Sequence, residues 1–454
     1  MKNTTHIASR WELFLDEQMI AARDGLELRL QQPIPREIAV EMDKPWEDVG
    51  SGVYNTVLKD GDEYRLYYRA SWFSKDAENV GDRSENQFTC MAVSPDGIHW
   101  TKPELGIIEI EGSTANNAIF AGVNAHNFTP FIDKKPGCPA SERYKGTAGH
   151  NFNGLSAYVS ADGIHWTVTD YSPILTDGAF DSQNLAFYDT VAGKYRCYSR
   201  YFHKFEPQRH VYDGVRAIQH ADSEDFVHWG EQIPNTYSPV YPWEHFYTNA
   251  TTPCPGAEHY LISIPMRFNE DRKKVPSHEH GGISDGVLLS SRDGTNFSRL
   301  YPEAFIRPAI GDDNWTQRCY ITAAGILETS PTEFSIYVGE HYMHSNACIR
   351  RYTLRRHGFA ALHGNYTGGT MTTEPFTFTG SELMLNYATS AIGSVKVEIL
   401  RQSGEVWESE ELYGNSVEER IGFGEGRCPG MLEGETVRLR FTLRDADLFG
   451  YRFA

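Results

Sequence analysis

The segment Ser94-Pro95-Asp96-Gly97-Ile98-His99-Trp100 decides the fold, because related segments recur along the chain. Copies occupy residues 160–166, 223–229 and 291–297, and a weaker fifth is reduced to His357-Gly358-Phe359. The closing aromatic residues are 66, 63, 68 and 62 residues apart. A repeat of this length indicates one supersecondary unit that occurs several times in succession.

Each copy of the motif predicts the end of a strand followed by a tight turn. Asp-Gly suits that turn, because the carboxylate accepts hydrogen bonds from backbone N–H groups and glycine takes a positive φ. The aromatic residue then returns the chain to the core. We therefore interpret Asp96, Asp162, Asp225 and Asp293 as structural residues.

Upstream of each motif, aromatic-rich segments such as Tyr64–Tyr68 and Tyr195–Tyr198 have the pattern of short antiparallel strands. No long segment with a period of 3.6 residues competes with them. Five units of about four strands each predict an all-β fold, a five-bladed β-propeller. The predicted blades are residues 49–112, 120–176, 180–236, 243–308 and 312–366.

Both ends of the chain lie outside the repeat. Trp11–Leu15 has the pattern of a strand that helps to close the ring, so residues 1–45 are predicted to be a closing segment of a propeller domain spanning 1–368. Beyond Gly369 the pattern changes to strict alternation, as in Ser394–Ile399. This alternation predicts a C-terminal antiparallel β-sandwich over residues 369–454.

Composition narrows the classes of partner. The 454-residue chain has 42 Lys and Arg against 61 Asp and Glu, a net charge of −19, which disfavours nucleic acid and anionic membranes. No apolar run approaches the roughly 20 residues of a membrane span, and the first residues lack a signal-peptide pattern, which predicts a cytoplasmic protein. Seven widely spaced cysteines without a C-x-x-C pair predict reduced thiols rather than zinc ligands or disulfides.

Polar residues ahead of the first strand of each blade are expected to share one axial funnel, because those strands converge in a propeller. Carboxylates in such places are candidate catalytic residues. Cleavage of a glycosidic bond needs one group to protonate the leaving oxygen and another to act as nucleophile or base. The candidates are Asp181, Glu244, Glu340 and Glu47.

The other polar and aromatic residues of the predicted funnel are candidate substrate ligands. Tryptophans outside the motif suit stacking on a sugar, and arginines suit a carboxylate or sulfate on the substrate. No metal ligand or required cofactor is expected, while a structural calcium ion in the axial channel is left open. The candidate ligands are Trp46, Asn55, His126, Asn127, Gln183, Asn184, His245, Tyr247, Asn249, Arg267, Asp285, Trp315, Arg318 and His341.

With this layout, residues 45–365 resemble the five-bladed propeller glycoside hydrolases of the invertase, levansucrase and arabinanase type, and the chain looks like uncharacterised glycoside-hydrolase-like proteins of bacteria. The resemblance implies that Asp181 is the blade-three Asp that supports substrate hydroxyls. Glu244 lies about three residues before the place of the blade-four general acid. The expected nucleophile falls near Val53-Tyr54, where no acid stands, so Glu47 or Asp48 would have to replace it.

These features predict a bacterial-type glycoside hydrolase that removes a terminal sugar from a short oligosaccharide or glycoside. Glu244 would be the acid, Asp181 the clamp on the sugar hydroxyls, and Glu47 or Glu340 the base or nucleophile.

Two alternatives stay open at this point. The missing blade-one acid favours a carbohydrate-binding propeller without catalysis. Alternatively, Arg267, Arg318 and His341 could hold phosphate in a glycoside phosphorylase of the same fold.

Overall fold

β-Strands make up all the long elements in the described part of the chain. The computed structural model describes residues 4–71, 87–150, 154–204, 213–424 and 426–454. Within these ranges there is no α-helix, and none of the helical elements there is long and apolar enough to cross a membrane. The helical elements are four short 3-10 helices, at Val123–His126, Ala140–Glu142, Asp312–Asn314 and Pro429–Leu432.

The chain divides into two units. The larger unit comprises Pro33–Thr329 and Ser335–Thr353, and the smaller unit comprises Met1–Gln32, Ser330–Phe334 and Leu354–Ala454. This grouping differs from the boundary expected at residue 368. The N-terminal segment and residues 354–368 belong with the C-terminal strands, because Leu26–Leu30 pairs with Ala360–Gly364, which in turn pairs with Val437–Phe453.

The first three repeats of the larger unit each form one antiparallel four-stranded sheet. The first sheet contains Val53–Asp60, Glu63–Ser71, Gln87–Ser94 and Ala118–Ala121; the second Thr129–Ile132, Tyr144–Gly149, Leu155–Ser160 and Thr167–Val168; and the third Leu185–Asp189, Lys194–His203, Val215–Ser223 and Ile233–Pro234.

The fourth repeat is split into two sheets, because its two central strands are interrupted between Ser263 and Met266 and at Leu288. One sheet contains Thr252–Cys254, Ala257–Ser263, Leu289–Ser291, Asn296–Ser298 and Thr236–Ser238. The other sheet contains His245–Phe246, Met266–Asn269, Ile283–Val287 and Ala304–Ile306.

The fifth sheet takes its outermost strand from the beginning of the chain. Ile321–Thr322, Glu333–Glu340 and Cys348–Arg355 are followed in the sheet by Ile34–Glu41, and Leu327–Ser330 pairs beside them. The predicted closing strand, Trp11–Leu15, lies elsewhere, since Glu12–Leu13 pairs with the last strand of the smaller unit. Both segments have a strand pattern, but the apolar side chains of the earlier one belong to a different core.

Successive sheets of the larger unit touch near their innermost strands, and the fifth touches the first. There, Val57 N–H donates to the Ala324 oxygen and Ala324 N–H donates to the Asn55 oxygen, both at 2.8 Å. The first and second sheets meet where Val53–Asp60 packs on Thr129–Ile132. Hydrogen bonds join the next repeats in order: Asn127 donates to Phe180 between the second and third, Asn249 donates to Gln183 between the third and fourth, and Ser284 donates to Cys319 between the fourth and fifth.

The repeated turns use their aspartates as predicted, to hold backbone N–H groups. Asp96 Oδ1 accepts the N–H groups of Ile98 and His99 at 2.8 Å, and the same pair of contacts recurs in the other copies. The residue after the aspartate has a positive φ in every copy, at Gly97, Gly163, Phe226 and Gly294.

The same turns also accept hydrogen bonds from tyrosine side chains of the neighbouring sheet. The Tyr67 hydroxyl of the first sheet donates to the Gly163 oxygen in the second at 3.0 Å, and the Tyr198 hydroxyl of the third donates to the Gly294 oxygen in the fourth at 2.8 Å. A Cβ on Gly163 would lie 2.8 Å from the Tyr67 oxygen. At Gly163 the close approach of the tyrosine therefore leaves no room for a side chain, whereas the third copy accommodates Phe226 at the same position.

The smaller unit is one hydrogen-bonded network of eleven strands around an apolar core that includes Phe14, Leu385, Val397, Phe441 and Tyr451. Whether it forms two packed layers stays a prediction. Its strands are Thr5–His6, Glu12–Leu13, Ile20–Asp24, Leu26–Leu30, Ala360–Gly364, Gly369–Thr373, Phe376–Thr377, Leu383–Arg401, Val406–Glu408, Asn415–Ile421 and Val437–Phe453.

Acid is expected to weaken the larger unit through its turns. Partial burial raises the pKa of Asp96, but hydrogen bonds from His99 and backbone N–H groups together hold it well below 3.8, and the pKa values of Asp162 and Asp225 are lowered in the same way. A carboxylate with a depressed folded-state pKa contributes stability above its unfolded pKa, and this stability is lost as the pH falls through the folded pKa.

We therefore expect the free energy of unfolding, measured in urea, to fall below about pH 4. A triple variant with Asn at these three positions should show a flatter acid limb, because the amide oxygen still accepts N–H groups but does not titrate. An equally steep fall in the triple variant would contradict this origin of acid sensitivity.

Candidate active site

Residues from all five repeats of the larger unit meet where the innermost strands begin. The rings of Tyr54 and His126 lie 5.4 Å apart, and the Arg318 guanidinium lies 5.0 Å from the Tyr342 ring and 6.0 Å from the Tyr247 ring. We call the following set the axial cluster: Tyr54, Arg69, His126, Asp181, Arg200, Tyr247, Arg318 and Tyr342.

Asp181 supplies the carboxylate of the axial cluster. It forms an ion pair with Arg200 from the strand Lys194–His203, and about a quarter of its side chain is exposed (26%). Arg200 itself is only 4% exposed and lies 5.2 Å from the centre of the Tyr247 ring. The buried guanidinium thus fixes an accessible carboxylate next to a phenol.

Arg69 of the axial cluster lies on the strand Glu63–Ser71 of the first sheet. Its Nε and Nη2 donate to the Gly50 oxygen at 3.2 and 2.6 Å, and Nη2 also reaches the Tyr342 hydroxyl at 3.3 Å. Its Nη1 lies 3.3 Å from His126 Nδ1. Burial and the neighbouring Arg69 charge hold the pKa of His126 well below 6.5, so this imidazole is neutral near pH 7.

The two buried tyrosines of the axial cluster differ in acidity. Burial raises the pKa of Tyr54 above its usual 10. Burial alone would also raise the pKa of Tyr247. The positive charges of Arg318, Arg200 and Arg216 together outweigh the effect of burial, so the pKa of Tyr247 lies below 10. Tyr247 is therefore the phenol that gives up its proton more readily.

Backbone strain is concentrated around the same place. Four of the residues with a positive φ that are not glycine lie at the starts of innermost strands: Tyr54 (53°), Ala250 (43°), Arg318 (55°) and Tyr320 (63°). Such conformations cost free energy and persist where the surroundings impose them, often at binding sites.

The amides that were predicted to bind substrate instead join the inner strands. Asn127 Nδ2 donates to the Phe180 and Ser182 oxygens at 2.6 Å, and Asn184 Nδ2 donates to the same two oxygens at 2.7 and 2.8 Å. The remaining amides, Asn55, Gln183 and Asn249, are buried and also bond to backbone groups. Buried backbone groups demand partners, so these residue types ahead of a strand serve the fold.

A cavity of about 750 Å³ lies beside the fourth repeat. It is linked to the axial cluster through Arg216, whose guanidinium lies 5.1 Å from the Tyr247 ring and 2.9 Å from His245 Nδ1. The predicted site residues that line it are Glu244, His245, Arg267, Asp285 and Trp315.

The charged residues of this cavity are engaged with one another. Arg267 Nε and Nη2 donate to the two oxygens of Asp285 at 2.9 and 2.6 Å, and its Nη1 donates to Glu244 at 3.3 Å. The other Glu244 oxygen is paired with Arg299. Trp315, whose indole N–H donates to the Ala309 oxygen at 2.9 Å, offers a ring at the cavity wall.

Glu47 lies away from the axial cluster and is a structural carboxylate. Its side chain is fully buried, and it accepts hydrogen bonds from Tyr68 and Lys102, both at 2.5 Å, and from the backbone N–H groups of Asp43 and Lys44. Trp46 packs beside it, with its indole N–H on Asn117 at 3.2 Å. A glutamate that precedes a first strand therefore does not necessarily enter the axial cluster, because a lysine such as Lys102 can bind it elsewhere.

Glu340 and His341 are also occupied. Glu340 accepts from the Tyr352 hydroxyl at 2.5 Å and Arg350 Nε at 2.9 Å, and His341 Nε2 lies 3.1 Å from Asn314 Oδ1. With Cys348 these two residues form a group whose ligand atoms lie within 4.8 Å of one another. Both oxygens of Glu340 accept hydrogen bonds from side chains of the strand Cys348–Arg355, which ties this carboxylate to the fifth sheet.

No protein-family model and no curated protein matches the chain. Its structural neighbours are glycoside-hydrolase-like propeller proteins. A β-1,2-mannobiose phosphorylase from Listeria innocua is 13% identical over 72% of this chain and 97% of its own, with a TM-score of 0.47. A family 43 arabinoxylan arabinofuranohydrolase from Bacillus subtilis is 9% identical over 93% and 99% of the two chains, with a TM-score of 0.39.

Arg69, Arg200, Tyr54 and Tyr342 of the axial cluster were not among the residues selected from the sequence. A signal for the two arginines exists, because each follows the first tyrosine of its strand by five residues, in Tyr64–Arg69 and Tyr195–Arg200. Aligning the second strands of the repeats would have found them. Tyr54 occupies the place where an acid was expected.

Tyr247 is expected to ionise below pH 10, because three guanidinium groups stabilise the tyrosinate. The ultraviolet absorbance of tyrosinate should show one fewer ionisation in that range for Tyr247→Phe than for the unmodified protein. In Arg318→Gln the same ionisation should move to higher pH. Identical titrations of the unmodified protein and Tyr247→Phe would contradict this prediction.

Proposed function

We propose that the protein is a glycoside hydrolase, that its five repeats are the blades of a five-bladed propeller, and that the axial cluster binds the terminal sugar of the substrate. Asp181 and Tyr247 are then the groups that exchange protons with, or attack, the glycosidic bond. No cofactor takes part in this scheme.

The observation that carries the proposal is the placement of an accessible carboxylate beside a phenol whose pKa is lowered. Arg200 pairs with Asp181 and lies 5.2 Å from the Tyr247 ring. Glycosidic cleavage needs two such groups, and a tyrosine replaces one carboxylate in some glycosidases. Aromatic rings on both sides suit the apolar faces of a sugar.

The cavity of the fourth repeat then receives the rest of the substrate. Trp243, Trp315 and Phe268 line it, and the Phe268 ring lies 5.9 Å from the ring of Tyr247 in the axial cluster. Glu244 is held by two arginines here, so we assign it to the shape and charge of this cavity rather than to proton donation.

Phosphorolysis is the second candidate, favoured by the arginines of the axial cluster, which attract anions. The trio proposed from the sequence does not support it, because Arg267 is paired with Asp285 and His341 contacts Asn314. Of the three, Arg318 alone belongs to the axial cluster.

The proposal is tested by incubating the protein with a panel of 4-nitrophenyl glycosides and natural oligosaccharides, with and without inorganic phosphate. Release of free sugar in both conditions supports a hydrolase. Release of a sugar 1-phosphate only when phosphate is present identifies a phosphorylase. Tight binding without turnover across the panel would identify a non-catalytic carbohydrate-binding propeller.

A further inference from the structure

We propose that the axial cluster recognises a carboxylate on the terminal sugar, so that the ligand is a uronic-acid residue, held by Arg318 and Arg200. The inference rests on the proposed function in that it takes the axial cluster as the sugar-binding site. It further defines the chemical class of that sugar.

The first argument is the balance of charge. The axial cluster contains three guanidinium groups, and Asp181, paired with Arg200, is its carboxylate. Among the residues that the structure describes, no carboxylate pairs with Arg69, whose donors reach Gly50, Tyr342 and His126. In a chain with a net charge of −19, this local excess of positive charge is unusual and calls for an anionic partner.

The second argument is an unsatisfied donor. Arg200 is 4% exposed, and its Nε is buried without a hydrogen-bond acceptor within the described part of the chain. A buried guanidinium N–H without an acceptor costs free energy, more than a neutral group does. The described residues thus leave the Arg200 guanidinium incompletely satisfied, and a nearby anion would compensate its charge further.

The third argument is that the Arg318 side chain is held in position while remaining partly accessible. Its Nε and Nη2 both donate to the Gln317 side-chain oxygen, at 3.1 and 2.8 Å, and its backbone φ is 55°. The side chain is half-buried between the rings of Tyr247 and Tyr342 and has no carboxylate partner among the described residues. A guanidinium that is held in place and partly accessible is suited to a planar carboxylate.

The surroundings favour a carboxylate attached to a sugar over a free phosphate ion. Tyr54, Tyr247 and Tyr342 place aromatic faces beside the guanidinium groups, at 5.0 to 6.0 Å. Aromatic faces gain from contact with the C–H groups of a sugar ring and offer little to a bare phosphate. A uronic acid presents both the anion and the ring.

Calorimetric binding of D-glucuronate and D-galacturonate, with D-glucose and D-galactose as neutral matches, tests the inference directly. We expect the uronates to bind about 10- to 100-fold more tightly, the range for a charge-assisted hydrogen bond. That preference should largely disappear in Arg318→Gln. It should persist in Arg143→Gln, which removes the same charge from the half-exposed ion pair with Asp60 in the first two sheets.

Equal binding of uronate and neutral sugar, no measurable uronate binding, or tighter binding of inorganic phosphate would overturn the inference. So would a preference that Arg318→Gln leaves unchanged. Turnover of 4-nitrophenyl glucosides but not glucuronides would overturn it while the proposed function stands. Uronate binding that depends on Arg318, without turnover of any glycoside, would support the inference and refute the proposed function.

Discussion

Replacement of Asp181 by Asn should lower kcat/KM on glycosides by about 10²–10⁴-fold, the usual effect of losing a group that transfers a proton. The amide keeps the shape of the side chain but neither accepts a proton nor carries a negative charge. Asp181 is 26% exposed beside Tyr247, so a bound sugar can reach it. The loss should appear with activated and unactivated leaving groups alike, because a base or nucleophile acts at the anomeric carbon whatever the leaving group is.

A matched control for this variant is Asp222→Asn. Asp222 pairs with Lys194 and Arg196 in the same third sheet, and 30% of its side chain is exposed, so the charge removed and the exposure are similar. We expect the control to keep nearly full activity. Thermal unfolding of both variants separates a chemical loss from a folding defect caused by the buried Arg200. Full activity in Asp181→Asn would refute the assignment of the axial cluster as the catalytic site.

Glu47→Gln should destabilise the larger unit by about 3 kcal/mol while leaving catalysis intact at temperatures where the variant is folded. The carboxylate is buried between Tyr68, Lys102 and two backbone N–H groups, all of which donate to it. A glutamine would turn its NH2 group toward one of these donors. Lys102, 13% exposed, would then lose its buried counter-ion.

The unfolding midpoint from calorimetry and kcat at a low temperature test this prediction together. Glu63→Gln is the control, because Glu63 pairs with Arg65 at a half-exposed position on the strand that also carries Tyr68. We expect the control to shift the midpoint little, since exposed pairs contribute about 0–1 kcal/mol. A Glu47→Gln protein of unchanged stability and greatly reduced kcat would restore the catalytic role expected from the sequence.

The sequence predicted the strands and turns of the larger unit well, because its signal is repeated. The Asp96 turn and its copies determine where strands end, and glycine or a strained residue follows each aspartate. The segment that closes the fifth sheet was less predictable. Trp11–Leu15 and Ile34–Glu41 both suit strands, and long-range pairing decides which one joins which sheet.

The candidate site was predicted less completely, because position in the chain does not determine the direction of a side chain. His126, Asp181, Tyr247 and Arg318 do belong to the axial cluster. Glu47 precedes a first strand just as Asp181 does, but Lys102, 55 residues later, draws it away. Such pairing between distant residues has no signature in one sequence.

The pairing of the early strand Ile34–Glu41 with a late strand determines when the fifth sheet can be completed during synthesis. Its neighbour in the fifth sheet, Cys348–Arg355, leaves the ribosome after all the other sheets of the larger unit have been synthesised. Until then the early strand has unpaired backbone groups, and the fifth sheet, which contacts the first through Ala324, lacks its two outer strands. Nascent chains that stop before residue 348 should therefore bind no sugar, and their dependence on chaperones should end only with the last repeat.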